Sequence, residues 1–346
     1  MKNVQIGGTS WEVSNVALGI MRMGTLTVPK AIDALEAAHD AGINFIDSAD
    51  IYGNDPQLGR GSSELHFGEA LKKSSLTRDD FYIQSKGGLF ANADNKITRY
   101  DSSKKNLIAA VDGILQRMGI DYLDSFLIHR PDPLMEPAEI AAAFDQLQAS
   151  GKVRHFGVSN FNPQQIALLQ AATNQRLLID QVQFGLKHTG MIDFGLHTNM
   201  TDDAAINHDG GLLEYTRRKR MTIQTWSPFQ YGTFAGTFID NDQFSELNAM
   251  LETLAQKYKV SKNAIAVAWI LRHPAHMQVL LGTMTPAHII DSAKGSDITL
   301  TSQEWYDLYL AAGMICHNEK RLSTVLSAYY SSFLSTPVDN SIITGG

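Results

Sequence analysis

Short apolar segments alternate with amphipathic ones along most of the chain, and this alternation constrains the fold more than any other feature. Between the short segments helical periodicity recurs, as in residues 107–118, where apolar positions fall on one helix face. Strands that alternate with helices form parallel βαβ units. The eight segments with the length and composition of buried strands are 16–19, 43–49, 81–86, 125–129, 153–159, 179–184, 222–226 and 278–283.

Eight such units in 346 residues predict an α/β fold, a closed (β/α)8 barrel of the TIM-barrel type. A doubly wound open sheet is the alternative. It usually carries a G-x-G-x-x-G turn after its first strand, and residues 19–24 (GIMRMG) do not match that pattern. The amphipathic segment before residue 16 predicts an N-terminal β-hairpin that closes the barrel floor. We expect one domain over 1–346, with the barrel in about 16–300 and a C-terminal helix and tail in about 301–346.

Composition and charge narrow the possible functions. A formal net charge of -7 with no broad basic face argues against nucleic-acid binding. The single cysteine, Cys316, leaves no intrachain disulfide or Cys-based zinc site, and no metal-binding His spacing occurs. No segment has the roughly 18 to 20 apolar residues of a membrane span, and the N-terminus has no signal-like apolar run. We therefore expect a cytoplasmic chain with no metal and no membrane partner.

Polar side chains cluster at the C-terminal ends of the predicted strands, where (β/α)8 barrels place their chemistry. Asp47 and Tyr52 follow the second strand, Lys86 ends the third, and His129 ends the fourth. An ammonium beside a phenol lowers the phenol pKa, and a carboxylate keeps that ammonium charged and oriented. A neutral imidazole can donate a hydrogen bond to a substrate oxygen. Together these groups predict a proton donor for a carbonyl that becomes an alkoxide, which suits hydride transfer from a nicotinamide.

The same residues give the chain a resemblance to the aldo-keto reductase superfamily, whose members share an Asp, Tyr, Lys and His tetrad on a (β/α)8 barrel. Asp47 and Tyr52 match the family's Asp-x-x-x-x-Tyr spacing, Lys86 matches its lysine, and His129 its histidine. Residues 151–161 (GKVRHFGVSNF) resemble the family's fifth-strand motif. The His-Arg-Pro-Asp sequence that starts at His129 is similar to a bacterial branch of predicted oxidoreductases.

The resemblance covers about residues 7–313 and implies NAD(P)H-dependent reduction of a small aldehyde or ketone. In that reaction Tyr52 would protonate the alkoxide and Lys86 would lower the pKa of Tyr52. Asp47 would support Lys86, and His129 would orient the carbonyl.

The resemblance also implies a site for a nicotinamide cofactor. The residues expected at the nicotinamide are Ser159, Asn160 and Gln181 on its carboxamide and Trp226 stacked on its ring. The residues expected along the phosphates and adenosine are Ser227, Gly282, Thr283, His288 and Ser292. Many NADPH-dependent members hold the 2′-phosphate with Lys and Arg where this chain has Gly282 and His288. A helix N-terminus at Pro286 still favours an anion, but two fixed cations are missing. The resemblance implies that NADP(H) is preferred, with NAD(H) as the second cofactor.

Two stretches depart from the family pattern, a polar insertion at residues 186–210 and the tail after residue 313. They leave the substrate and the oligomeric state open. Arg22 and Arg130 are expected to form rim salt bridges, and Glu64 to lie near the adenine-side helix or to cap a helix. One alternative function is an NADPH-binding regulatory subunit with little turnover. Another is a (β/α)8 hydrolase or lyase that shares only the scaffold.

Overall fold

The predicted barrel is confirmed by a computed structural model, which describes residues 1–232 and 235–314. Eight parallel strands close in the order β3-β4-β7-β10-β11-β12-β13-β14, with β14 hydrogen-bonded back to β3. The barrel strands are β3 (Val16–Gly19), β4 (Phe45–Asp47), β7 (Tyr82–Gly87), β10 (Leu123–Ile128), β11 (Val153–Ser159), β12 (Leu177–Gln183), β13 (Thr222–Trp226) and β14 (Gln278–Leu281). The other strands form three hairpins, β1 (Asn3–Gln5) with β2 (Glu12–Ser14), β5 (Asn54–Asp55) with β6 (Gly59–Arg60), and β8 (Leu89–Ala91) with β9 (Ile97–Tyr100).

Each of the eight predicted segments contains or overlaps one barrel strand, and the differences lie at the ends. The second strand is shorter than 43–49, because the backbone turns after Asp47 towards Tyr52. The fourth strand begins at Leu123, two residues earlier than expected, where the Leu123 N–H donates to the Lys152 carbonyl. These shifts leave the polar residues at the strand ends unchanged.

The N-terminal hairpin closes the barrel floor, as the sequence predicts. β1 and β2 pair antiparallel, and Ile6 and Val13 are buried against barrel residues such as Phe45. Gly7 has a φ of 61°, and a Cβ there would lie 2.7 Å from Cδ2 of Leu178. Only glycine fits this close approach without strain.

Helices surround the barrel, and most of them bury one apolar face, whereas α9 (Lys262–Leu271) is buried on all sides from Ala264 to Ile270. The face predicted for residues 107–118 is buried in α3, and Asn162 caps α5 through hydrogen bonds from the N–H groups of Gln164 and Gln165. Thr285 precedes α10 as expected, but its side chain makes no capping hydrogen bond. The helices are α1 (Val28–Asp40), α2 (Ser62–Lys73), α3 (Lys104–Met118), α4 (Pro137–Ala149), α5 (Pro163–Ala172), α6 (Gly190–Leu196), α7 (Leu212–Lys219), α8 (Ser245–Tyr258), α9 (Lys262–Leu271), α10 (Pro286–Ala293) and α11 (Ser302–Ala311).

The insertion at residues 186–210 is less polar in its contacts than its composition suggests. It contains α6, and Leu186 and Met191 are buried. The Tyr309 hydroxyl of α11 donates to Asp193 at 2.6 Å, which ties the insertion to the C-terminal helix. The expected tail is described only as far as residue 314, so Cys316 lies outside the described residues. Within the described ranges, no helix is long and apolar enough to cross a bilayer.

Candidate active site

The four predicted chemical groups meet where β4, β7 and β10 end. Nζ of Lys86 lies 2.7 Å from each carboxylate oxygen of Asp47, and both side chains are buried. The same Nζ lies 5.2 Å from the centroid of the Tyr52 ring. The Tyr52 and His129 rings meet edge to face with their centroids 5.7 Å apart. The tetrad inferred from four separate sequence positions is therefore one cluster in space.

The chain turns sharply between Asp47 and Tyr52, and this turn places the phenol beside the ammonium. The Asp50 N–H donates to the Lys86 carbonyl, and the Tyr52 N–H donates to the Ala49 carbonyl. Both bonds are 2.9 Å long, so the loop is anchored to β7. The five-residue spacing thus carries the phenol from the end of one strand to the amine of its neighbour.

Buried glutamines inside the barrel hold the carboxylate, and sequence reasoning missed most of this network. Gln84 and Gln181 donate to Oδ1 of Asp47 at 2.7 and 2.8 Å. Gln84 also donates to Oε1 of Gln224, whose own amide donates to Gln278 at 2.8 Å. The one available signal was a glutamine inside each of three apolar strands and at the start of a fourth. A buried amide needs hydrogen-bond partners, and here the glutamine side chains are partners of one another.

His129 is neutral in this site. Its side chain is buried, and desolvation holds the pKa of the imidazole well below its usual value, with the charges of Lys86 and Arg130 lowering it further. The buried Nδ1 has no hydrogen-bond partner within the described part of the chain. A neutral imidazole carries one N–H donor, which the expected role of His129 towards a carbonyl oxygen requires.

Tyr52 differs from expectation. Desolvation and then the Asp47 carboxylate raise the pKa of the phenol above its ordinary value, and Arg130 opposes the change. Lys86 was expected to lower the pKa of Tyr52, but burial and Asp47 have the larger effect on it, because the ammonium is already paired with both oxygens of Asp47. Burial lowers the pKa of Lys86 itself, and the same ion pair opposes that shift. The phenol therefore keeps its proton at neutral pH.

A second group of buried charges lies behind the tetrad. Glu64 accepts from Ser85 at 2.7 Å and from Nε of Arg117 at 2.8 Å. It lies in the first turn of α2 but makes no capping hydrogen bond, so the capping expectation is wrong. Oδ1 of Asp50 is buried without a partner among the described residues. Desolvation, and then the charge of Glu64, raise the pKa of Asp50 to about 7. The sequence signal that could have identified Asp50 is a second carboxylate three residues after Asp47.

Four of the residues expected at a nicotinamide lie together at the ends of β11, β12 and β13. The Ser159 hydroxyl donates to the Gln181 carbonyl at 2.8 Å, and Nδ2 of Asn160 donates to Oγ of Ser159 at 2.7 Å. Nε1 of Trp226 donates to Oδ1 of Asn160 at 3.3 Å. Asn160 has a φ of 60°, a left-handed conformation that asparagine tolerates better than most residues. The amide nitrogen of Gln181 is already used by Asp47.

The residues expected at phosphates and adenosine lie after β13 and β14. Ser227 has a left-handed φ of 51°, His288 is exposed, and Oγ of Ser292 is buried without a described partner. Nη1 of Arg22 donates to the Gly282 carbonyl at 2.7 Å. The expected rim salt bridges are wrong, since neither Arg22 nor Arg130 pairs with a carboxylate within residues 1–232 and 235–314. An uncompensated cation next to a helix N-terminus fits a phosphate-bearing nucleotide. No three metal-ligating side chains cluster in the described ranges.

Comparison with known proteins supplies the family. The Aldo/keto reductase family model matches residues 15–309. The chain belongs to this family. The match spans all eight barrel strands and every tetrad residue.

Two relatives of this aldo/keto reductase family member at 30% identity or more are reductases or oxidoreductases by name. A 6-dehydroglucose reductase from Agrobacterium fabrum (strain C58) is 34% identical over 309 residues, which cover 87% of this chain and 95% of the relative. Oxidoreductase YdhF from Escherichia coli (strain K12) is 30% identical over 317 residues, which cover 90% of this chain and 98% of YdhF. The family match and these relatives together indicate that the chain is an oxidoreductase.

A solved structure shows the same fold. An aldo-keto reductase from Klebsiella pneumoniae in complex with NADPH matches with a TM-score of 0.70 at 22% identity, covering 89% of this chain and 93% of that one. At this identity the likeness concerns the barrel and not the substrate or the cofactor of this chain.

Proposed function

We propose that this chain is an NAD(P)H-dependent reductase that converts an aldehyde or ketone to an alcohol, with Tyr52 as proton donor. One observation carries the proposal. A protonated phenol and a neutral imidazole meet beside a buried ammonium–carboxylate pair at the C-terminal end of the barrel. This set can donate a proton and a hydrogen bond to one oxygen.

Tyr52 is suited to act as an acid only when a strong base forms beside it. Its raised pKa keeps the hydroxyl protonated in the resting site. A developing alkoxide is a far stronger base than a carbonyl oxygen, so the proton moves as the substrate is reduced. The Lys86 ammonium, 5.2 Å from the ring, then stabilises the phenolate that remains.

His129 and Asp47 position the reacting groups. The neutral imidazole donates to the carbonyl oxygen and orients it towards the Tyr52 hydroxyl. Asp47 accepts from Lys86 and from two glutamine amides, so the ammonium is held in one place. These contacts fix the geometry before substrate arrives, which is how a rigid site contributes to rate.

NAD(P)H, when bound, supplies the hydride. We expect Ser159, Asn160 and Gln181 to hold the carboxamide and Trp226 to cover the ring. In support, the side chains of Ser159, Asn160 and Trp226 form a hydrogen-bonded chain that ends on the backbone carbonyl of Gln181. The phosphates and adenosine would lie along the residues that follow β13 and open α10. Those residues are Ser227, Gly282, Thr283, His288 and Ser292.

A polar carbonyl, such as a sugar aldehyde, is the substrate class we would test first. Arg130 is exposed beside His129, and the adjacent β5–β6 hairpin is joined to the β8–β9 hairpin through Nη2 of Arg60, which donates to the Asn92 carbonyl at 2.6 Å. This rim offers hydrogen-bond donors. The 6-dehydroglucose reductase named above is a relative whose name fits such a rim.

The test is a fluorescence titration of the purified protein with NADPH and NADH, followed by turnover on an aromatic aldehyde and a sugar aldehyde. We expect the protein to bind NADPH and to consume it only when a carbonyl compound is present. Binding without turnover on any carbonyl would support the regulatory alternative. Binding of neither nucleotide would overturn the proposal and leave only the scaffold in common.

A further inference from the structure

Arg22 contacts a segment that is 260 positions away in the sequence. It lies in the loop between β3 and α1, and its Nη1 donates to the carbonyl of Gly282 at 2.7 Å. β3 and β14 are hydrogen-bonded neighbours, so the loops that follow them lie side by side at the C-terminal end of the barrel. This contact delivers a guanidinium to the segment that opens α10.

The charge of Arg22 is uncompensated. The side chain is exposed, and no carboxylate pairs with it in the described part of the chain. A guanidinium has five N–H donors. Among residues 1–232 and 235–314, only the Gly282 carbonyl accepts a hydrogen bond from this side chain. The remaining donors face solvent with a full positive charge, in a protein whose formal net charge is -7.

The absence of a side chain at Gly282 makes room for this guanidinium. A Cβ at position 282 would lie 2.9 Å from Nη1 of Arg22, closer than non-bonded contacts allow. A residue larger than glycine would therefore move Arg22 away. The chain therefore has a cation next to position 282, and this cation is Arg22 from the loop after β3.

Further phosphate-binding groups belong to the same segment. Oγ1 of Thr283 accepts from the Thr285 N–H at 3.2 Å, which leaves its hydroxyl proton free to donate. The eight-residue helix α10 begins at Pro286, three residues after Thr283. Ser292, whose Oγ is buried without a described partner, lies towards the other end of that helix and is not part of this phosphate site. A helix N-terminus with an adjacent guanidinium is a strong combination for a phosphate.

We propose that Arg22 binds a phosphate group of the nicotinamide dinucleotide and so replaces the cation missing at Gly282. The inference rests on the proposed function, because it needs a dinucleotide at this end of the barrel. Two phosphate groups could meet the guanidinium, the pyrophosphate shared by both nucleotides and the 2′-phosphate found only in NADP(H). The shared chemistry is a charge-assisted hydrogen bond from Arg22 to phosphate oxygen.

Equilibrium titrations with NADPH and NADH test the inference without any turnover. The variants are Arg22→Gln, which removes the charge, Arg22→Lys, which keeps it, and Arg218→Gln as the matched control. Arg218 is an exposed arginine near the end of α7, at the opposite end of the barrel, and none of the described contacts involves its side chain. We expect Arg22→Gln to raise the NADPH Kd about tenfold, Arg22→Lys about threefold at most, and Arg218→Gln by less than about twofold.

The two nucleotides identify the phosphate. A loss with NADPH alone assigns Arg22 to the 2′-phosphate, and an equal loss with NADH assigns it to the pyrophosphate; both support the inference. Unchanged Kd values in Arg22→Gln overturn it. A loss in Arg22→Lys as large as in Arg22→Gln also overturns it, since the charge would not be the cause. If the wild-type protein binds neither nucleotide, the proposed function fails too, whereas tight wild-type binding that Arg22→Gln leaves intact removes only this inference.

Discussion

Lys86 and Asp47 form a buried ion pair in which Nζ lies 2.7 Å from both carboxylate oxygens. Moving two charges out of water is costly, so such a pair persists only where its remaining hydrogen bonds are made. Here Gln84 and Gln181 donate to the carboxylate. The pair is therefore part of the barrel interior as well as of the proposed site, and its removal should affect stability and activity together.

Lys86→Met should lower the free energy of unfolding by about 3–5 kcal/mol, because it leaves a buried carboxylate without its cation. Urea unfolding followed by circular dichroism measures the change. Lys152→Met is the matched control, since the Lys152–Asp112 pair is exposed (40% and 47% of the side chains) and should contribute less than about 1 kcal/mol. Similar values for the two variants would show that Asp47 finds another partner or takes up a proton.

Tyr52→Phe should lower kcat about 100- to 10,000-fold, the range over which a positioned acid contributes, and leave the Kd for NADPH within about twofold. The ring and its packing against His129 remain, and only the donated proton is lost. Steady-state kinetics and a titration separate the two effects. Tyr100→Phe, on the exposed β9 strand, serves as the control. Full activity in Tyr52→Phe would mean that another group protonates the product.

Asp50 should make stability fall as pH rises. Its pKa is raised from 3.8 to about 7 in the folded protein, so between these values the folded state holds a proton that the unfolded state has released. Glu64 raises this pKa, whereas Arg117 and Lys86 lower it. The contribution of this group is therefore fully present below about pH 4 and is lost as pH rises through about 7, a difference on the order of 4 kcal/mol.

Asp50→Asn should consequently equal the wild type in stability near pH 4 and exceed it at about pH 8. Urea unfolding at several pH values gives the difference, and other titrating groups cancel in the comparison. Asp94→Asn, in the exposed turn between β8 and β9, is the surface control. A constant difference between Asp50→Asn and wild type would indicate that the carboxyl is ionised throughout.

The tetrad could be predicted from sequence because each member lies at or just after the end of a recognisable strand, and a parallel barrel brings those ends together. Contacts between distant residues could not be predicted in this way. Arg22 and Gly282 are separated by 260 positions, and Glu64 and Arg117 by 53. Nothing local marks such pairs, since they depend on which strands are neighbours and on how far a long side chain extends.

Gln84 illustrates the same point inside the barrel. A glutamine in an apolar strand has no local signature, yet its amide donates to Asp47 and to Gln224, and its oxygen accepts from Ser125, all within 2.8 Å. Gln84→Leu removes a donor from a charged acceptor and leaves the buried Ser125 hydroxyl without its acceptor, whereas Oε1 of Gln224 keeps the hydrogen bond from Gln181. Each buried unsatisfied group costs about 1–3 kcal/mol, so we expect a loss of about 3 kcal/mol in the free energy of unfolding.

The same substitution should lower kcat about tenfold through a less firmly held Lys86, because misplacing a catalytic group costs rate without changing ground-state binding. The Kd for NADPH should stay within about twofold, since Gln84 touches none of the residues placed at the nucleotide apart from sharing Asp47 with Gln181. Gln256→Leu, on the exposed surface of α8, is the control and should leave both stability and kcat unchanged. If Gln84→Leu lowered stability but not kcat, the glutamine network would stabilise only the barrel. Asp47 would then orient Lys86 without help from Gln84.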